Sequence, residues 1–196
     1  MLPTDLALPD APHELAAAAT QALGHVDVLV KNAGISSAIG PTGSLTAAAV
    51  DELFAVNVRS VLLLSGLLGQ AMTERGHGAI VTISSAVSTT GTAWTAAYTA
   101  TKSALDGMTR SLAAECGAGG VQVNAVRPGI VATDMGRFIT DNPAAEAGYT
   151  ATVPLGRVAT AEDVAEVVAF LAGPGSAYTT GQELAVDGGW GVTRIP

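Results

Sequence analysis

The chain has 196 residues, 48% of them hydrophobic and only 13% charged, with a net charge of −8. That length and apolarity exclude a disordered chain and fit one domain with a sizeable core. The acidic balance excludes the basic footprint of a nucleic-acid binder, and the one cysteine, Cys116, excludes an internal disulfide.

Residues 1–10 read as a proline-punctuated loop with no basic segment of a signal peptide. Asp10 is placed to cap a helix that has Pro12 in its first turn and stops at Gly24. Residues 26–30 are a short β-rich run, and Lys31-Asn32-Ala33-Gly34 supplies a sharp turn. A loop over 35–45 leads into one long helix over 46–75, with apolar residues at helical spacing from Val50 to Leu68. Its most apolar part, 61–72, is too short to span a bilayer. Residues 79–83 form a buried strand closed by Ser84-Ser85. A flexible segment, 86–95, precedes a helix that carries Tyr98, Lys102, Leu105, Met108 and Leu112 towards Gly117.

A third strand, 121–126, is broken by Arg127-Pro128-Gly129, and 130–155 reads as short helices and loops. Residues 161–171 are helical, capped by Thr160 with Asp163 at the third helical position. Residues 184–186 make a last strand before Asp187-Gly188-Gly189. Apolar strands alternating with helices predict an α/β fold, a doubly wound parallel sheet with helices on both faces, within one domain over 1–196.

The chemistry concentrates at Ser85, Tyr98 and Lys102, spaced by 13 and by 4. Tyr98 and Lys102 share a helix face one turn apart. Ser85, at a strand end, can reach that face. Two hydroxyls and an ammonium around one point can donate a proton to a carbonyl oxygen or take one from an alcohol. A free phenol titrates near ~10, so Lys102 is expected to lower Tyr98 towards neutrality. No Gly-x-Ser-x-Gly elbow surrounds Ser84 or Ser85, which disfavours a hydrolase. His13, His25 and His77 lack metal-ligand spacing, and no metal site is expected. Cys116 reads as a small buried hydrophobe.

The ordered motifs resemble those of the classical short-chain dehydrogenase/reductase family. Lys31-Asn32-Ala33-Gly34 resembles its NNAG segment, with Lys31 in place of the first Asn. Asn57-Val58-Arg59-Ser60, Ser85 with Tyr98-xxx-Lys102, Asn124 to Pro128-Gly129, and Thr133 follow in the family's order. The resemblance implies a Rossmann-like fold and an NAD- or NADP-dependent oxidoreductase interconverting a carbonyl and an alcohol. It implies Tyr98 as acid/base, Ser85 on the substrate oxygen, Lys102 on the nicotinamide ribose, and Asn57 carrying a relay water. Asp5, Asn32, Ala33, Gly34, Ile83, Pro128, Gly129, Val131 and Thr133 are the further cofactor contacts it implies. Residues 134–150, with Phe138, Ile139 and Tyr149, stand as a lid over a partly apolar substrate pocket.

The family's glycine-rich TGxxxGxG turn does not occur in these residues. The resemblance therefore implies an N-terminally truncated fold, with about four strands left and the 26–30 strand at an exposed edge. The units not seen amount to about sixty residues at ~30 per unit. The expected partners are a small carbonyl or alcohol substrate and a second or further copy of the chain, in a homodimer or homotetramer through the helices over 46–75 and 96–116. The expected location is the cytoplasm, without membrane or nucleic acid. The alternative is a catalytically inactive fragment or a non-catalytic oligomerising protein.

Overall fold

The computed structural model describes residues 2–192. Four parallel strands stand in the order β1 (Val28–Lys31), β2 (Gly78–Ile83), β3 (Val121–Pro128) and β4 (Glu183–Val186). Being parallel, all four release the chain at the same edge of the sheet, where ligand crevices form in open α/β folds. Strand β3 runs to Pro128, two residues further than the sequence pattern predicts. Pro128 occupies the last position of the strand, where a missing N–H costs little.

Helices α1 (Ala11–Leu23), α3 (Ser60–Arg75) and α5 (Ala96–Cys116) cover one face. Met72 of α3 and Leu112, Ala113 and Cys116 of α5 pack on Ile80, Val121 and Val123. Helix α8 (Ala161–Ala172) covers the other face, with Leu171 against Val81 and Val126. Its start is the expected capping box: Asp163 N–H donates to Thr160 Oγ1 and Thr160 N–H to the Asp163 carboxylate. At α1 the expectation fails. Asp10 makes no side-chain cap; its backbone carbonyl accepts from His13 and Glu14, and its helical φ, ψ keep the carboxylate from the capping position.

The single long helix expected over 46–75 is two, α2 (Ala47–Phe54) and α3, joined by a π-helical turn at Ala55–Arg59. Asn57 lies in that turn. The segment expected to be flexible, 86–95, contains the short helix α4 (Val87–Thr90). The short helices α6 (Arg137–Thr140) and α7 (Pro143–Thr150) fill the weakly periodic stretch. Strand β1 is at the sheet edge, as expected. Its Leu29 and Lys31 turn towards α1 and α3, while Val28 and Val30 remain 42% and 43% exposed.

Candidate active site

Helix α5 buries Thr101, Lys102, Leu105, Thr109, Leu112 and Cys116, a stripe at helical spacing. Tyr98 continues that stripe one turn before Lys102, at the carboxyl end of β2. The Lys102 ammonium donates to Ile83 O at 2.9 Å and lies 5.5 Å from the Tyr98 ring centroid. It is 6% exposed, and burial pushes it down to about 8, with the nearby Asp106 carboxylate pulling the other way. Ser84 is structural: its hydroxyl, buried, donates to Lys102 O at 3.1 Å and so fixes α5 on the end of β2. Ser85 points to the phenol instead. Its hydroxyl hydrogen-bonds Tyr98 and also accepts a long 3.4 Å bond from Val87 N–H.

The expected lowering of Tyr98 by Lys102 is not what this geometry produces. Burial raises the phenol above its ordinary value, and the Ser85 hydrogen bond pulls it partly back. Withdrawing a phenolate from water is the larger effect, and the ammonium spends a donor on Ile83 O rather than on the phenol. Tyr98 is thus held protonated at neutral pH.

Asn57, 1% exposed, reaches the same place from the π-helical turn. Its Nδ2 donates to Ile35 O at 2.8 Å and to Thr101 Oγ1 at 3.3 Å, and its Oδ1 accepts from Ile35 N–H at 2.9 Å. Thr101 in turn donates to Tyr98 O at 2.7 Å. One amide thereby joins the loop after β1 to α5. A π-turn at such a point is a common device for aiming a side chain. Gly34 fits beneath it: a Cβ there would come within 3.2 Å of Asn57 Oδ1 and 3.8 Å of Lys102 Nζ. Asn32 and Ala33, just before it, are exposed at the carboxyl end of β1.

Pro128 is drawn to the same edge by Ala86 N–H, which donates to its carbonyl at 2.9 Å. Gly129 N–H donates to Val186 O at 3.1 Å. Val131 and Thr133 follow in this loop, Val131 forming an isolated parallel bridge with Ala159 and accepting from Thr133 N–H at 2.8 Å. Asp5 does not join the group among the described contacts. Its carboxylate accepts from Ala7 N–H at 3.0 Å and shapes an exposed turn.

Two loops border Tyr98. Gly40 N–H donates to Trp94 O at 2.9 Å and pins the loop after β1 to the segment before α5. Ala38 and Trp94 have φ of 58° and 67°, sterically costly for residues with side chains. Ile39 and Trp94 in these two loops, and Phe138 in α6, are exposed apolar side chains. Tyr149, in the segment expected as a lid, has its hydroxyl accepting from Ile130 N–H at 2.9 Å.

Three features escaped the sequence reading. Lys31 is buried at the end of β1, donating to Ser65 Oγ at 2.6 Å. Asp106 pairs with Arg127, which also meets Glu183; the i, i+4 spacing of Asp106 from Lys102 was the available signal. His25 and His77, read as scattered, both meet the Asp27 carboxylate, at 3.1 and 3.0 Å. Among the described residues no group of three or more His, Cys, Asp or Glu is placed to hold a metal ion, and no helix is long and apolar enough to cross a membrane.

The family model described as enoyl-(acyl carrier protein) reductase matches residues 1–191. The 3-oxoacyl-(acyl-carrier-protein) reductase FabG of Escherichia coli (strain K12) is 42% identical over 170 residues, covering 85% of this chain and 67% of that protein. D-erythrulose reductase of Gallus gallus is 40% identical over 174 residues, 88% of this chain and 70% of that protein. The solved gluconate 5-dehydrogenase from Burkholderia cenocepacia J2315, a complex with NADP and tartrate, superposes with a TM-score of 0.92 at 29% identity, covering 97% of this chain and 74% of that one. With a parallel α/β sheet, a Ser–Tyr–Lys group at its carboxyl edge and relatives named as reductases and dehydrogenases, this chain belongs to the short-chain dehydrogenase/reductase family of oxidoreductases.

Proposed function

We propose that the protein reduces a carbonyl to an alcohol with NADPH or NADH, Tyr98 being the proton donor. The observation that carries the reading is the meeting of three groups at the end of β2: a phenol kept protonated by burial, a hydroxyl on it, and a buried ammonium beside its ring. The surroundings suit the nicotinamide end of a dinucleotide. Gly34 lets the loop after β1 pass close against Asn57 and Lys102, and Lys102 commits one donor to Ile83 O and keeps others for a ribose. Asn32, Ala33, Gly34, Ile83 and Lys102 would hold the ribose side, and Pro128, Gly129, Val131 and Thr133 the nicotinamide amide. Asp5 is the proposed contact on the adenine side.

When bound, the nicotinamide supplies the hydride. The chain's own residues do the rest. Ser85 donates a hydrogen bond to the carbonyl oxygen and holds it against Tyr98. The Tyr98 Oη–H bond breaks as its proton passes to that oxygen, so the alcohol leaves neutral. Lys102, protonated, steadies the phenolate that remains. Asn57 keeps the loop after β1 and α5 in register, and a water near it would return a proton from solvent.

The exposed Ile39, Trp94 and Phe138 favour a substrate with an apolar flank. A second copy of the chain is the proposed partner, through α2, α3 and α5, where Phe54, Leu62 and Leu67 are exposed. The test is NADPH and NADH oxidation by purified protein over a panel of ketones and keto-acids, run beside Tyr98→Phe. Turnover present in the wild type and lost in Tyr98→Phe supports the reading. A folded protein that binds neither nucleotide would sink it and favour the non-catalytic alternative.

A further inference from the structure

The turn Pro128-Gly129-Ile130 is held at four points. Three are backbone to backbone: Ala86 N–H to Pro128 O, Gly129 N–H to Val186 O and Ala159 N–H to Ile130 O. Such bonds are indifferent to side-chain identity. The fourth is the Tyr149 hydroxyl accepting from Ile130 N–H at 2.9 Å. Tyr149 belongs to α7, within the lid segment, so this bond links two regions 19 residues apart in sequence.

The tyrosine is itself braced. Its ring lies tilted against Trp190, with centroids 6.3 Å apart. Trp190 sits in a turn shaped by Asp187, whose carboxylate accepts from Gly189 and Gly191 N–H at 2.9 and 2.8 Å. Burial raises the Tyr149 phenol above its ordinary value, the Ile130 bond lowering it and the Asp187 charge raising it further, so it stays neutral. The fit at Gly129 is close. A Cβ there would fall 2.7 Å from the Tyr149 hydroxyl and 3.1 Å from Asp187 Cα. Beside these groups is a cavity of about 130 Å³, lined by Ile130, Tyr149, Leu155, Arg157, Val186 and Asp187. The turn therefore borders empty space at Ile130, where the Tyr149 hydroxyl holds its backbone by a side-chain bond.

We propose that Tyr149 is a positioning residue: it sets the position of the Pro128-Gly129-Ile130 turn beside the cavity and ties that turn to α7. The proposal rests on the reading that this turn meets the nicotinamide. Deleting the hydroxyl leaves Ile130 N–H without its acceptor and lets the turn sink towards the cavity.

The test compares the wild-type chain with Tyr149→Phe. It uses amide hydrogen exchange at Ile130 without nucleotide, and fluorescence titration with NADPH and NADH. Ile130 should exchange about tenfold faster and nucleotide binding should weaken about tenfold, a step of 1.4 kcal/mol. The carbonyl KM should stay within about twofold, a split that general loosening of the fold would not give. Nucleotide affinity unchanged while Ile130 loses protection would overturn the proposal, as would unchanged exchange at Ile130. Trp190→Leu keeps the hydroxyl and removes its brace. It should move both readouts the same way by two- to threefold, and it decides the matter if Tyr149→Phe does not fold; no movement there refutes the proposal. Wild type that binds neither nucleotide refutes the nicotinamide reading, and this proposal with it, which is a different result from a variant that binds as well as wild type.

Discussion

Two lysines are buried beside the carboxyl edge of the sheet and perturbed by that burial, and they differ in their neighbours. Lys31, at the end of β1, is 7% exposed and lowered to about 7; Lys102, on α5, is 6% exposed and lowered to about 8. The Lys31 ammonium donates to Ser65 Oγ at 2.6 Å, and Ser65 donates to Val61 O at 2.5 Å, a chain that ends in the backbone of α3. Lys102 has a phenol ring, a strand-end carbonyl, the closely packed backbone of Gly34 and the Asp106 carboxylate around it. Perturbation alone does not mark a working group, since both lysines have it. The neighbours that a lysine can serve make the difference.

The largest effect expected on the Lys102 side is at Tyr98. Tyr98→Phe removes the transferable proton and leaves the ring, so kcat/KM should fall by about 10²–10⁴-fold with circular dichroism unchanged. The lysines come next. Lys102→Met should lower kcat/KM by about ten- to a hundredfold, the size of a lost hydrogen bond to a charged group. Lys31→Met should leave it within about twofold. Equal losses from the two substitutions, in steady-state assays at pH 7, would break the distinction drawn between them.

On stability the two lysines should share a sign, with Lys31 the larger effect. Folded Lys31 loses its proton near pH 7, while in the unfolded chain it keeps it to about 10.5. Between those values the unfolded state binds more protons, so this lysine makes stability rise with pH; below 7 the folded state carries the whole cost of a buried charge. Lys31→Met should therefore stabilise the protein by about 1–4 kcal/mol at pH 6. The gain should shrink as pH approaches 10, as urea melts at three pH values would show. A gain that grew with pH would contradict the buried-charge account.

How much of this was legible in the chain depends on the range over which each feature is built. The Thr160–Asp163 cap spans three residues, and Tyr98 and Lys102 span one helical turn; both stand in the sequence as they stand in the fold. The edge position of β1 followed from the motif order. Lys31 was visible only as a departure from a motif, because its hydrogen-bond partner, Ser65, lies 34 residues away. The Tyr149–Ile130 bond is hidden for the same reason. The π-turn at Asn57 escaped because one added residue scarcely disturbs apolar spacing over a thirty-residue pattern. The phenol's raised pKa escaped because spacing gives the cation's place but not the depth of burial.

The smallest expected effect tests the electrostatics of Lys102 most directly. Asp106 favours the charged form of Lys102, while burial opposes it more strongly and brings it to about 8. Reduction should therefore lose rate above about pH 8, as the ammonium beside Tyr98 gives up its proton. Asp106→Asn removes the favouring charge and should move that alkaline limb to lower pH by less than one unit. Arg127 retains Glu183 as a partner at 3.0 Å, so the fold should hold. A limb that moved upward, or one that moved equally in Lys102→Met, would show that Lys102 is not the group titrating there.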